Sequence, residues 1–470
     1  MNIALIQCPF WSVMTPPYSI ALLSACLKKE GHSVLCYDFN VKLQRYSEFK
    51  KKSSSSGAEN EDIDWYDRDS VLRFIKEYDY YINQLIDEVL EKDIQIAGFT
   101  IYDTSRWFSG EIASRIKEKS PAVKTVAGGI SCFRENFAIE FLQNHNVDAV
   151  CLQEGEVVFN NLVNTIKDNK GRIGYCPGFI YKDSNGKIIN CGKQDLVDNL
   201  DSLPFADFKD FDLRLYDETG VPISTSRGCI NCCSFCEESI LWGKYRRREA
   251  ANIYAEIDYQ LKNNHQAEYF FFNDSLVNGD MKNLCKLVDL IIEKNTKFTW
   301  SGQAMIREGM NFEFLKKMKK AGFSSVSYGL ESASPKILKL MRKNFSTILA
   351  EEVIQNTKKA GISSSINIIV GFPEETWEDI NLTVNFLKRN LEFIDTVYLH
   401  SLVLMPSSLL YRERKTFGIF ILNRNRTNGW LIEGEKNYFQ ARLEKLEFIR
   451  ESLGDKVKIP FNNLIRLKES

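Results

Sequence analysis

The sequence predicts an α/β protein of 470 residues: an N-terminal doubly wound parallel sheet, then a partial (β/α)6 barrel, then a short helical tail. Three observations carry this. Apolar runs alternate with helical stretches up to about residue 170, the alternation resumes at Val221, and residues 171–215 between them break the rhythm. The domain boundaries so drawn are 1–170, a hairpin linker over 171–215, a barrel over 216–420 and a tail over 421–470.

In the first series, Ile3–Ile6 is an apolar run and Ile20–Lys29 has a helical period after Pro16-Pro17. Gly31-His32 ends that helix, and Val34–Tyr37 resumes a strand. Residues Lys50–Asp64, with Lys51-Lys52 and Ser53 through Gly57, are of low complexity and read as a surface insertion. A helix from about Asp69 to Glu91 follows, then a strand at Ile94–Thr100, a helix at Phe108–Lys119, a strand ending in Gly128-Gly129, a further helix and a strand at Ala149–Cys151. Ligands of such sheets lie beyond the carboxyl ends of the strands. Those ends carry Pro9, Asp38, Thr100-Ile101-Tyr102, Gly128-Gly129 and Glu154-Gly155-Glu156. The Gly pair admits either a bulky ligand close to the backbone or a plain turn.

Phe179–Lys182 and Lys187–Asn190 flank Asp183-Ser184-Asn185-Gly186, a hairpin signal, and Asp198–Asp212 reads as an irregular connection. The second series has strands at Pro222–Thr225, Tyr269–Phe272, Phe298–Ser301, Ser325–Gly329, Ser365–Val370 and Thr396–Val403. Helical stretches such as Ile253–Lys262, Asn283–Glu293 and Phe312–Ala321 separate them. Polar residues close the later strands: Asn273-Asp274, Gln303, Glu331, Gly371 with Glu374, and His400 or Ser401. Each alone fits a helix cap or a solvated end; together they suggest a pocket at the face where barrel enzymes do chemistry.

Lys+Arg number 61 and Asp+Glu 62, a net charge of -1, which disfavours a phosphate-dominated nucleic-acid binder. The start Met1-Asn2-Ile3-Ala4 lacks a basic signal region and no apolar run is long enough for a membrane span, so a cytoplasmic protein is expected. That makes the 12 cysteines unusual, because disulfides are rare in a reducing compartment. Eight are scattered, mostly in apolar surroundings where a thiol acts as a small hydrophobe. The other four are Cys229, Cys232, Cys233 and Cys236. As two adjoining Cys-x2-Cys pairs they would make a zinc knot, although structural zinc pairs are normally separated by a longer loop. As Cys229-x3-Cys233-x2-Cys236, with Cys232 a bystander, three thiolates would hold a [4Fe–4S] cube and leave one iron free for chemistry, and the spacing favours this reading.

These residues resemble the radical S-adenosylmethionine (SAM) superfamily, in its cobalamin-binding branch, over Met1 to about Tyr411. The most specific part is Cys229-x3-Cys233-x-Phe235-Cys236 after Ser226-Arg227-Gly228; Phe271 to Asp274, Gly322 to Ser332 and Ile369 to Thr376 support it. The superfamily's Gly-x-Ile-x-Gly-x-x-Glu pattern is met by Asn367 to Glu374, with Asn367 replacing the first Gly. The resemblance implies a Rossmann-like cobalamin domain and a TIM-like partial barrel. It places a cluster on Cys229, Cys233 and Cys236, SAM near Asn273, Asp274, Gln303, Glu331, Gly371 and Phe372, and cobalamin near Thr100, Tyr102, Gly128, Gly129 and Glu154. An ion pair inside the barrel mouth is the plainer reading of Asp274 and Glu331. The Asp-x-His-x-x-Gly motif of His-ligated cobalamin domains is absent, and His32, His145, His265 and His400 stand in other contexts, so no His ligand below cobalt is expected.

The implied activity is radical methylation of an unactivated carbon or phosphorus centre of a small molecule, one SAM giving a 5′-deoxyadenosyl radical and a second remethylating cobalamin. An external one-electron reductant of flavodoxin or ferredoxin type would drive it. The alternatives are cyclisation, ring contraction or oxidation without methyl transfer, and a cobalamin or tetrapyrrole sensor on a degenerate barrel. The tail, with Arg424, Arg426, Trp430 and an amphipathic stretch from Tyr438 to Leu453, is expected over the barrel mouth or as a plain capping helix. Tyr102 and Trp107 would face the corrin or pack an interface.

Overall fold

The structure is a computed structural model that describes residues 1–45, 63–218, 220–264, 267–422, 429–432 and 438–459. Most of the expected surface insertion, His265, Arg424 and Arg426 lie outside the described residues. The chain divides into two compact units, Met1–Pro222 with Gln260–Ala267, and Ile223–Tyr259 with Glu268–Ser470.

The first unit is built on β1 (Asn2–Gln7), β2 (Ser33–Asp38), β3 (Ile96–Thr100), β4 (Lys124–Gly128), β5 (Ala149–Cys151), β6 (Phe179–Lys182) and β7 (Ile188–Asn190). Their order is β2-β1-β3-β4-β5-β6-β7. The first five are parallel, and β6 and β7 add as an antiparallel edge. The hairpin that the sequence placed in a linker is thus bonded into this sheet: Cys151 pairs with Phe179. In β1, Ile3 through Gln7 are all buried, as a central strand with helices on both faces requires. The long helix expected before β3 is two, Arg68–Glu77 and Asp79–Leu90, because Tyr78 leaves helical geometry (φ -101, ψ 19) to bury its ring. Asp67 caps the first by accepting from the Ser70 N–H at 2.8 Å.

Strand order reverses at β1, with β2 on one side and β3 on the other. The region beyond Gln7 and Thr100 at this switch point is the usual ligand position in such sheets.

The second unit's sheet runs β18-β15-β14-β13-β12-β11-β8. Its strands are β8 (Gly220–Ile223), β11 (Tyr269–Phe272), β12 (Thr299–Ala304), β13 (Phe323–Glu331), β14 (Ser363–Val370), β15 (Thr396–Ser401) and β18 (Val457–Lys458). Two short antiparallel ladders accompany it, β9 (Ser226–Arg227) with β10 (Arg246–Arg247), and β16 (Ile419–Ile421) with β17 (Trp430–Ile432). Consecutive strands from β11 to β15 pair in parallel, the arrangement of an open barrel. The tail departs from expectation. Its helix Tyr438–Leu453 packs against β14, β15 and the helix Trp377–Asn390, and β18 then pairs parallel with β15. It forms a seventh β/α unit at the sheet edge rather than a cover over the mouth. Among the described residues, no helix is long and apolar enough to cross a membrane.

Gly129 has φ 104, and a Cβ there would stand 2.9 Å from the Ile101 nitrogen and 2.9 Å from Thr100 Oγ1. The glycine is therefore required by the neighbouring strand end, without any ligand. Gly129→Ala is expected to destabilise the protein by about 1–3 kcal/mol, the scale of a non-glycine held at positive φ, read as a lower urea midpoint.

Candidate functional site

The cysteine loop is held at its entry by a buried carboxylate. Asp274, just past β11, accepts from the Thr225 N–H at 2.9 Å, the Ser226 N–H, and the Ser226 hydroxyl at 2.8 Å. Burial pushes its carboxyl up to about 6, against the pull of those bonds. Expected as a ligand contact, Asp274 is instead a brace: its oxygens are taken up by the loop backbone, and its partners are N–H and O–H groups rather than a cation. Gly228 (φ 79) then makes the turn, where a Cβ would meet the Lys244 carbonyl at 2.9 Å. Further along, the Ser234 N–H donates to the Met341 carbonyl at 3.1 Å, and the Leu410 N–H donates to the Ser234 carbonyl at 2.7 Å. The loop is thus pinned before, at and after its turn.

On it, Cys229, Cys233 and Cys236 are half-buried and Cys232 is exposed. The Asn231 and Glu238 N–H groups donate to Cys229 Sγ and Cys236 Sγ, each at 3.4 Å. Burial pushes the Cys229 thiol up to about 11 and Cys236 to about 12, and raises Cys233 as well; negative charge on neighbouring cysteines adds to each. A thiolate set that burial and mutual repulsion disfavour is one that a bound cationic centre stabilises. Among the described residues, no three His, Cys, Asp or Glu side chains form a single-ion site. A cluster gives each thiolate its own iron, so this donor set fits an iron–sulfur cluster.

Facing the loop is an ion pair whose lysine the sequence-based expectation did not name. Lys343 Nζ lies 3.0 Å from Glu331 Oε1 and 3.1 Å from the Gly329 carbonyl, with both side chains nearly buried. Burial alone would lower the Lys343 ammonium; Glu331 and the Cys233 sulfur hold it above its usual value instead. Glu331 therefore is in an ion pair at the mouth, the plainer of its two readings. It takes φ 67 at a break in the β13–β14 register. Beside it, His400 Nε2 is 3.2 Å from Asn367 Oδ1, and Asn367 Nδ2 donates to Ser327 Oγ at 2.9 Å. The Asn that departs from the glycine pattern thus links β13, β14 and β15. Asn273 and Gln303 are exposed at the carboxyl ends of β11 and β12.

Gly371 and Phe372 behave differently from expectation. The space over the Gly371 Cα is filled by the buried Arg442, whose Cγ and Cδ would lie 2.5 Å from a Cβ there. Arg442 stacks on Trp430 at 4.5 Å and Phe439 at 4.7 Å. The Phe372 ring is 1% exposed and packs with Ile337, Met341, Leu402 and Trp430, so it offers no surface to a ligand. Glu374, which ends the pattern, is exposed with φ 67, while its neighbour Glu375 is buried. Glu375 Oε2 accepts from the Gly371 N–H at 2.8 Å and lies 3.3 Å from Lys445 Nζ. Burial pushes the Glu375 carboxyl up to about 7, with Lys445 and the Gly371 N–H opposing. Arg442 and Lys445 were missed; their signal was two cations three apart on an otherwise apolar helix face.

At the first unit's switch point, Tyr102 stacks on the half-exposed Trp11 at 3.8 Å and 9°. Ser19 and Thr100 hydrogen-bond its hydroxyl, which burial pushes up to about 12. Thr100 is itself buried, and Gly128 lies against Cys151. Glu154 is buried and accepts from the Val197 N–H at 2.8 Å, so it braces the connection after β7. Trp107 donates to the Tyr66 carbonyl at 3.1 Å and packs on Arg106 and His145, a packing role. His145 is wedged between Trp107 and Phe141, its imidazole lowered to about 4 by burial, and His32 lies near the Met1 amino group. Neither stands at the carboxyl end of a strand.

Residues 223–387 match the family described as the Radical SAM superfamily. The chain is 28% identical to an uncharacterized methyltransferase of Pyrococcus horikoshii, covering 65% of this chain and 66% of that protein. It is 25% identical to an anaerobic magnesium-protoporphyrin IX monomethyl ester cyclase of Rubrivivax gelatinosus, covering 64% and 55%. Its fold is similar to that of the radical S-adenosylmethionine methyltransferase TsrM of Kitasatospora setae. With tryptophan and a SAM analogue bound, that structure superposes with a TM-score of 0.72 at 16% identity, covering 98% of this chain and 91% of the other. A second TsrM structure holds cobalamin and a [4Fe-4S] cluster.

Two outcomes follow from the bracing groups. Asp274→Ala strands buried donors and is expected to cost about 1–3 kcal/mol in urea unfolding and to lower the iron and sulfide retained after anaerobic reconstitution. Glu375 binds its proton more tightly in the fold, up to about 7 against an ordinary 4.5, so it makes stability fall as pH rises through that interval. Glu375→Gln is expected to flatten this part of the stability–pH curve, measured by denaturant titration at each pH.

Proposed function

We propose, from the membership of this chain in the cobalamin-binding branch of the radical SAM superfamily, that it methylates an unactivated carbon or phosphorus centre of a small-molecule substrate. The observation that carries the proposal is the braced loop presenting Cys229, Cys233 and Cys236 beside the Lys343–Glu331 pair at the strand ends. When bound, a [4Fe–4S] cluster with SAM supplies one-electron chemistry and cobalamin supplies a methyl carrier.

The chain's own residues do the rest. Cys229, Cys233 and Cys236 would hold the irons as thiolates, and the Asn231 and Glu238 N–H groups donate to the Cys229 and Cys236 sulfurs. Lys343 places an ammonium beside Cys229 and Cys233 and offsets part of their charge as thiolates. Asn273, Gln303 and Glu331 offer polar contacts to the amino and carboxylate groups of SAM, which is zwitterionic there. Gly371 acts through its main chain, held by Glu375. In the first unit, Trp11 and Tyr102 offer a flat aromatic face at the switch point, suited to a large planar ligand such as a corrin, with Thr100, Gly128 and Gly129 around it. Cobalamin would bind here without a His ligand, in keeping with a chain that lacks the Asp-x-His-x-x-Gly motif. An external one-electron carrier supplies the reducing equivalent. A cytoplasmic location fits a chain with twelve cysteines, four of them within eight residues, which a reducing compartment keeps available as thiols.

A second reading, a cyclase in which cobalamin transfers no methyl, is favoured by the Rubrivivax relative. Anaerobic reconstitution with iron, sulfide and hydroxocobalamin, followed by product counting, separates the two. Methyl transfer predicts equal 5′-deoxyadenosine and S-adenosylhomocysteine per methylated product; turnover without S-adenosylhomocysteine would support the cyclase. Cys229→Ala, Cys233→Ala and Cys236→Ala are each expected to lose the cluster's visible absorption, and Cys232→Ala to keep it.

A further inference from the structure

We infer that the cleft beside the cysteine loop is the docking surface for an acidic one-electron carrier protein. The inference rests on the radical SAM reading above and gives its reductant a place on the surface. The cleft has a volume of about 590 Å³ and is lined by Cys232, Leu338, Lys339, Arg342 and Asn344 among others. Cys232 is exposed and one residue from Cys233, so a carrier seated here is brought close to the thiolates that hold the electron acceptor.

Charge supports a protein of acidic face. Pro335–Thr347 contains Lys336, Lys339, Arg342 and Lys343 and no carboxylate, in a chain whose net charge is only -1. Lys343 is turned inward to Glu331, and Lys336 is bound to Asp379 at 2.8 Å. That leaves Lys339, which is exposed, and Arg342, half-exposed with Glu413 no nearer than 3.6 Å, directed at the cleft. Both cations are on the rim rather than buried, which suits a charged protein surface better than a small anion. Ile230 and Ile348, the neighbours in sequence of this cleft's walls, are 42% and 79% exposed. Exposed apolar groups with a charged rim make the kind of surface that forms fast, salt-sensitive encounters. The transfer balances with one electron: the carrier's flavin is oxidised by one electron, the cluster is reduced by one, and no proton moves.

The test uses the full chain, reconstituted with iron and sulfide, and an acidic flavodoxin as the probe. Binding is measured by calorimetry at low and high ionic strength, with cluster content determined by absorbance. The K339E/R342E variant is expected to bind flavodoxin at least about tenfold more weakly at low salt, and the wild-type affinity is expected to fall as salt rises. Cluster content, and SAM cleavage driven by dithionite, are expected to match wild type in the variant. The K320E/K359E variant reverses two exposed cations at the opposite ends of the strands and is expected to bind flavodoxin as wild type does. A cluster that forms normally while K339E/R342E keeps wild-type affinity would overturn the docking surface and leave the radical SAM reading standing. No cluster in wild type would remove the electron acceptor and overturn both.

Discussion

A buried carboxylate with donors on every side is the constraint around which the second unit is arranged. Asp274 sits where β11 ends, and its oxygens take the N–H groups that the chain exposes as it leaves β8 for the cysteine loop. Those donors are buried, so an acceptor there is obligatory. With the entry fixed, Gly228 can make its turn, and Ser234 ties the far side to the Met341 and Leu410 backbones. Three half-buried thiols are then presented together, each less acidic than a free cysteine. The arrangement opposes thiolate formation by itself, and the cationic centre that would occupy the loop is what reverses that balance.

The same economy of charge recurs at β14. The space over Gly371 is taken by the Cγ and Cδ of Arg442, and the carboxylate that orients its N–H is Glu375, with Lys445 behind it. Both cations come from the C-terminal helix. A segment that reads as a tail therefore extends the wall of the open barrel, adding β18 at the sheet edge and supplying buried charges to a turn that lies about seventy residues earlier in the chain.

Much of the fold was legible. Tyr269–Phe272 and Ala149–Cys151 fall where their apolar runs lie, and the polar strand ends do gather in the second unit. What was not legible is which polar group faces which. Asp274 and Glu331 look alike in sequence, both acidic residues after apolar strands. One binds backbone donors and the other a lysine, because the chain turns back after the helix Pro335–Leu340 and sets Lys343 against Glu331. Phe372 beside Gly371 could equally face a ligand or the core, and the apolar cluster around Trp430 decides for the core. Gly129 shows the converse. A glycine pair at a strand end suggested room for a ligand, whereas the crowding comes from Thr100 and Ile101.

The sequence by itself determined the order of β and α elements and the Cys-x3-Cys-x2-Cys spacing in the loop after an apolar strand, because both are properties of local stretches of chain. Only the tertiary structure decided the electrostatics. Lys343, Arg442 and Lys445 act at positions remote in sequence from the motifs they serve. Burial sets the value of each pairing, and burial is a property of the packed chain and not of any stretch within it.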